Sequence, residues 1–134
     1  MSQDRAWQWG RWLAQYLRAQ GENNPFLLAA KLGWQVVFET NEEKTCPLAP
    51  TPMAEWDGRR RTIRLYLPTL RRYLGEAPEV LSRACAHELF HGLAALNYPG
   101  MKLHTVKVPA LSYREEEMAA HAFSETLSGF EEKS

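Results

Sequence analysis

Cysteine is scarce in this chain. Cys46 and Cys85 are the only two among 134 residues. Neither belongs to a C-x-x-C pair, and two thiols do not make the disulfide framework of a small secreted scaffold. Cys85 lies in an apolar helical run and reads as a small buried hydrophobe. Cys46, in a Pro-rich loop, reads as exposed filler. Long apolar runs are missing too: no stretch approaches the roughly 18 residues of a membrane span. The opening Met1-Ser2-Gln3-Asp4-Arg5 has neither the basic nor the apolar region of a secretory signal. The expectation is a cytoplasmic chain in a reducing compartment, without membrane association. An excess of one charge is also lacking. Lys plus Arg number 16 and Asp plus Glu number 16, so the formal net charge is zero. Nothing in that balance points to direct nucleic acid binding or to an acidic surface. The run Arg59-Arg60-Arg61 reads as the solvated tip of a hairpin. Internal repeats and low-complexity tracts are absent.

What the chain does have is ordinary globular composition. Apolar residues make up 45% and charged residues 24%, values that argue against disorder. The length suits one domain, with an N-terminal helix over 1–22 and a core over 24–134. Trp9, Trp12, Leu13, Tyr16 and Leu17 form one apolar stripe on the first helix, about Gln3 to Gln20, and are expected to pack into the core. Asn24-Pro25 reads as N-cap and first helical residue of a short helix ending before Gly33. Trp34 to Glu39 reads as a strand. Met53 to Trp56 and Thr62 to Tyr66 read as a hairpin through Asp57-Gly58, with Ile63 and Leu65 on the buried face and Arg64 opposite. Helices follow over 68–74, 78–97 and, after the capping-box pattern Ser112-Tyr113-Arg114-Glu115, about 113–130. The fold class expected is α+β: a small, mostly antiparallel three-stranded sheet packed on a helical layer.

The chemistry concentrates in His87-Glu88-Leu89-Phe90-His91. Histidines four apart on a helix project from the same face, one turn apart. Two imidazole nitrogens can then converge on one ion at the roughly 2 Å that zinc requires. Glu88 is rotated about 100° from His87. It is placed to take a proton from a water and pass it to a leaving amine. The bland alternative makes both histidines satisfied core residues of an apolar helix. Two histidines and a glutamate are expensive on such a face unless paired or metallated, which favours the metal.

A catalytic zinc needs a third protein ligand and one open position. A third histidine six residues after the second is excluded, because Asn97 stands there and Ala94 replaces the glycine of that motif. The remaining source is the last helix, which opens with Glu115, Glu116 and Glu117 and carries His121 at i+4 from Glu117. Its inner face is expected to hold Met118, Ala119, Ala122 and Phe123. Glu115 reads as the capping-box partner, and negative charge is in any case favourable at a helix N-terminus.

Ala86-His87-Glu88-Leu89-Phe90-His91-Gly92 resembles the zinc helix of the ImmA/IrrE-like metallopeptidases. Thr62-Ile63-Arg64-Leu65-Tyr66 is similar to the strand before that helix, and Gly33-Trp34-Gln35-Val36-Val37 to the family's first strand. Glu117-Met118-Ala119-Ala120-His121-Ala122-Phe123-Ser124 resembles its E-x-E-A-N-x-F-A segment. The likeness spans about Asn24 to Leu127, with the two helical motifs the sharp parts. It implies a zincin-like core over 24–134, one Zn2+ held by His87, His91 and Glu117, and Glu88 as general base. His121 departs from the family's usual asparagine or aspartate, a position that often braces a ligand histidine. It is therefore a candidate for that brace or for a rival third ligand, and Ala119 replaces a second family glutamate. His104, Tyr98 and Tyr113 are candidate donors to an oxyanion.

The expectation for function is zinc-dependent peptide hydrolysis. The resemblance implies regulated cleavage of a helix-turn-helix repressor supplied as a separate protein. One alternative is a metal-binding regulatory protein that contacts a partner without turnover. The other is a closed structural zinc site, completed by His121 or Cys46.

Overall fold

The computed structural model describes residues 2–40, 53–96 and 109–128. Helix α1 spans Gln3–Ala19, with the Ser2 hydroxyl accepting from the Arg5 N–H at 3.2 Å. Helix α2 spans Pro25–Lys31. Asn24 caps it by accepting from the Phe26 and Leu27 N–H groups at 2.9 and 3.2 Å, and Pro25 occupies the first turn, where no N–H is needed. Strand β1 is Gln35–Glu39, β2 is Ala54–Asp57 and β3 is Thr62–Tyr66. Helices α3 (Leu67–Leu74), α4 (Pro78–Leu96) and α5 (Tyr113–Leu127) complete the order. Among the described residues, no helix is long and apolar enough to cross a membrane.

The α+β class is as expected, but the sheet is mixed rather than mostly antiparallel. Its order is β1-β3-β2. β2 and β3 form the hairpin, pairing Trp56 with Ile63 and Ala54 with Leu65. β1 lies on the other edge of β3 and runs parallel to it, pairing Val36 with Ile63 and Phe38 with Leu65. Nothing local to Gln35–Glu39 encodes that direction, because it depends on which edge of the hairpin the strand reaches. Asp57 organises the hairpin connection, its carboxylate accepting from the Arg59 and Arg60 N–H groups at 3.2 and 3.3 Å. Arg59, Arg60 and Arg61 are exposed there.

Helix α4 is the centre of the core. Cys85, Ala86, Leu89, Phe90 and Leu93 are buried on it, and it packs on α2, β2 and β3 as well as on α5. Ile63 and Leu65 meet it from the sheet. Burial pushes the Cys85 thiol up to about 12, which keeps it neutral and inert. Cys46 lies outside the described residues.

Helix α1 corrects one expectation. Its buried face is Ala6, Gly10, Leu13, Ala14 and Leu17, not the tryptophan stripe as a whole. Trp12 is 48% exposed and stacks on Tyr16, while Trp9 lies at the core margin against Phe90. The reason is the close approach of α5. A Cβ added at Gly10 would stand 2.1 Å from the Ala119 carbonyl oxygen. Small residues therefore face α5, and the large rings are displaced to the flank.

Replacing Gly10 with alanine adds helix propensity, worth about 1 kcal/mol, but forces α1 and α5 apart. The expected outcome is net destabilisation of about 2 kcal/mol, seen as a lower thermal midpoint. Gln8→Ala, at an exposed position of the same helix, leaves the midpoint unchanged.

Candidate metal centre

Two helices build the site. The spacing of His87 and His91 on α4 sets their rings on one face, with centroids 4.9 Å apart and planes at 64°. Behind them Gly92 admits the Trp34 and Trp56 rings, which lie 4.6 Å apart. A Cβ at that glycine would come within 2.8 Å of Trp34. The backbone that carries His91 is thus pressed against aromatic packing rather than water.

Helix α5 presents the acids. The Ser112 hydroxyl accepts from the Glu115 N–H at 3.3 Å, and the Glu115 carboxylate accepts from the Ser112 N–H at 2.8 Å. This capping box turns Glu115 back along the chain, and the backbone hydrogen bond holds its carboxyl below the usual range. Glu116 and Glu117, one and two residues further on, face α4.

The Glu117 carboxylate straddles the two imidazoles. One oxygen is 2.8 Å from His91 Nε2 and the other 3.5 Å from His87 Nε2. The Glu116 carboxylate lies 2.5 Å from the other nitrogen of His91, Nδ1. Glu88, on α4 itself, belongs to the same group. Ligand atoms of His87, Glu88 and His91 all lie within 4.8 Å of one another, close enough to hold a metal ion.

The donor set fits a divalent cation. Bonds of roughly 2.0–2.1 Å in a tetrahedral zinc site put neighbouring ligand atoms about 3.3 Å apart. The separations of 2.8 and 3.5 Å from Glu117 to the two Nε2 atoms bracket that value. Lone pairs and carboxylate oxygens converging so closely require a proton or a cation between them. Burial is the main influence pushing His87 down to about 4, reinforced by the nearby His91, so its ring is neutral and keeps a lone pair to donate. Burial likewise pushes Glu88 up to about 7.

No family model, curated protein or solved structure matches this chain.

The other candidates are placed differently. His121 is an exposed residue whose Nε2 lies 3.1 Å from the Glu125 carboxylate, and its ring packs on Trp7. It acts on His87 through charge. The carboxylate contact on the His91 ring comes instead from Glu116. Tyr113 is 81% exposed in the first turn of α5, on the same helical stripe as Glu117 and His121. His104, Tyr98 and Cys46 lie outside the described residues.

Glu116, one of the acids the sequence offered for the third ligand, is found instead on the second nitrogen of His91. Glu55 escaped the sequence reading, because only the hairpin register reveals it. Arg64 stands among three carboxylates, 3.2 Å from Asp57, 3.5 Å from Glu39 and 3.6 Å from Glu55. The buried Tyr66 hydroxyl donates to Glu55 at 2.5 Å. Glu55 is also one of the negative charges raising Glu88.

Burial first, and the Glu55 hydrogen bond second, push Tyr66 up to about 12. The folded chain therefore holds this proton more tightly than the unfolded chain does. Between pH 10 and 12 the unfolded chain releases it first, so stability falls as pH rises through that window. Chemical denaturation at stepped pH is expected to show a loss on the order of 1–3 kcal/mol, absent from the Tyr66→Phe variant.

Proposed function

We propose that this chain is a metal-dependent peptidase holding one divalent ion, zinc by the character of its donors, on His87, His91 and Glu117. The observation that carries this reading is the Glu117 carboxylate spanning the Nε2 atoms of both histidines. Nitrogen and carboxylate donors in this two-to-one ratio are those of a catalytic rather than a structural zinc. A divalent ion there supplies positive charge that polarises a carbonyl and makes a nearby water easier to deprotonate.

The chain's own residues do the rest. His87 and His91 present their Nε2 atoms from one rigid turn, so the donor geometry is set before any ion arrives. Glu88 is on the same helix, and its carboxylate accepts a proton from the attacking water and returns it to the departing amine. The resemblance of the two helical motifs to ImmA/IrrE-like metallopeptidases supports peptide bonds as the target. It also supports a helix-turn-helix repressor as the protein substrate, by likeness of motif.

A second reading has its own observation. The Glu88 carboxylate lies within 4.8 Å of donor atoms of both histidines, close enough to share an ion with them. Were it a fourth ligand, the coordination sphere would close and the chain would act as a metal-binding regulatory protein without turnover.

Glu88→Gln separates the two. In the peptidase, the variant keeps stoichiometric zinc by metal analysis, and cleavage of a helix-turn-helix repressor offered as substrate, followed by mass spectrometry, falls at least 100-fold. Loss of zinc in that variant supports the closed site instead. Glu117→Ala is expected to weaken zinc binding by more than the roughly 10–100-fold typical of an outer partner. Glu115→Ala, which removes only the cap, leaves the affinity unchanged in the same titration.

A further inference from the structure

We infer that Glu116 is the positioning residue of the metal centre, fixing the ring of His91 and strengthening its donor nitrogen. This rests on the reading of His91 as a metal ligand. The carboxylate of Glu116 lies 2.5 Å from His91 Nδ1, and that of Glu117 lies 2.8 Å from Nε2 of the same ring. One imidazole is therefore held at both nitrogens by consecutive residues of one helical turn. An ionised carboxylate only accepts hydrogen bonds, so Nδ1 carries the hydrogen and donates it to Glu116. The tautomer with its lone pair on Nε2 is selected, and that lone pair faces Glu117 and His87. Negative charge behind an imidazole also raises its donor strength.

The arrangement assigns neighbouring acids separate tasks. Successive helical residues are rotated by about 100°, so Glu116 and Glu117 reach the ring from different sides. Glu115 is withheld by the capping box. His121, one turn beyond Glu117, is engaged by Glu125 and Trp7 and makes no bracing contact with His91 among the described residues. The side chain of His91 is 16% exposed and that of Glu116 29%, so the contact is partly shielded from water. It is also the shortest of the contacts between α5 and the two histidines.

The test compares wild type, Glu116→Ala and Glu116→Gln by zinc titration calorimetry and by nitrogen-15 NMR of the zinc-loaded imidazoles. Wild type is expected to show a slowly exchanging His91 Nδ1–H resonance. Glu116→Ala loses that resonance and binds zinc about 10–100-fold more weakly. Glu116→Gln retains an oxygen acceptor, so it keeps the resonance and falls between the two in affinity. A contact that served only to dock α5 would lower the thermal midpoint while leaving the zinc affinity of the folded variants within twofold of wild type. That result, or an unaltered His91 resonance in Glu116→Ala, overturns the inference while the metal site stands. Failure of wild type itself to take up zinc overturns the metal reading, and this inference with it.

Discussion

The meeting of carboxylates on α5 with imidazoles on α4 is the contact on which this molecule's chemistry depends. Histidines on one helix and glutamates on another, 25 or more residues away in sequence, come within hydrogen-bond distance. Neither set would be tolerated alone against the apolar core that surrounds α4, because partly buried polar groups must be paired or neutralised. Together they form a group whose remaining demand is for positive charge.

That contact is held by packing that has no polar character. α5 is gripped from two sides, by α1 through Gly10 beneath Ala119 and by α4 through Phe90 against Phe123. The capping box engages Glu115 at the first turn of α5 and leaves Glu116 and Glu117 to meet the histidines. On the other side of α4, Gly92 lets Trp34 and Trp56 pack directly on the helix. A site needing carboxylate and imidazole atoms placed to within fractions of an ångström is thus carried on rigid elements rather than loops. The sheet adds a charge influence of its own through Glu55, whose carboxylate is engaged by Arg64 and Tyr66 and acts on Glu88 across the interface.

Local sequence rules succeeded where the physics is local. The caps Asn24 and Ser112 are both in place. The strands of the hairpin and the helix through His87 and His91 follow from alternation, turn residues and spacing. Two readings needed refining for a common reason. The tryptophan stripe of α1 has the right period for a core face, but period alone does not say how close the neighbouring helix comes. The sheet looked mostly antiparallel because a hairpin is visible in sequence, whereas the edge chosen by β1 is not.

Sequence by itself determined the shared face of His87 and His91, the place of Glu88 beside them, and the withdrawal of Glu115 into its cap, because each depends on spacing within a single turn or two of helix. Only the tertiary structure decided that Glu117 spans both rings, that Glu116 takes the back of His91, that His121 turns to Glu125, and that Glu55 lies near Glu88. Those outcomes depend on the approach and rotation of separate elements, which are set by side-chain volumes at Gly10, Ala119 and Gly92 summed across the whole core.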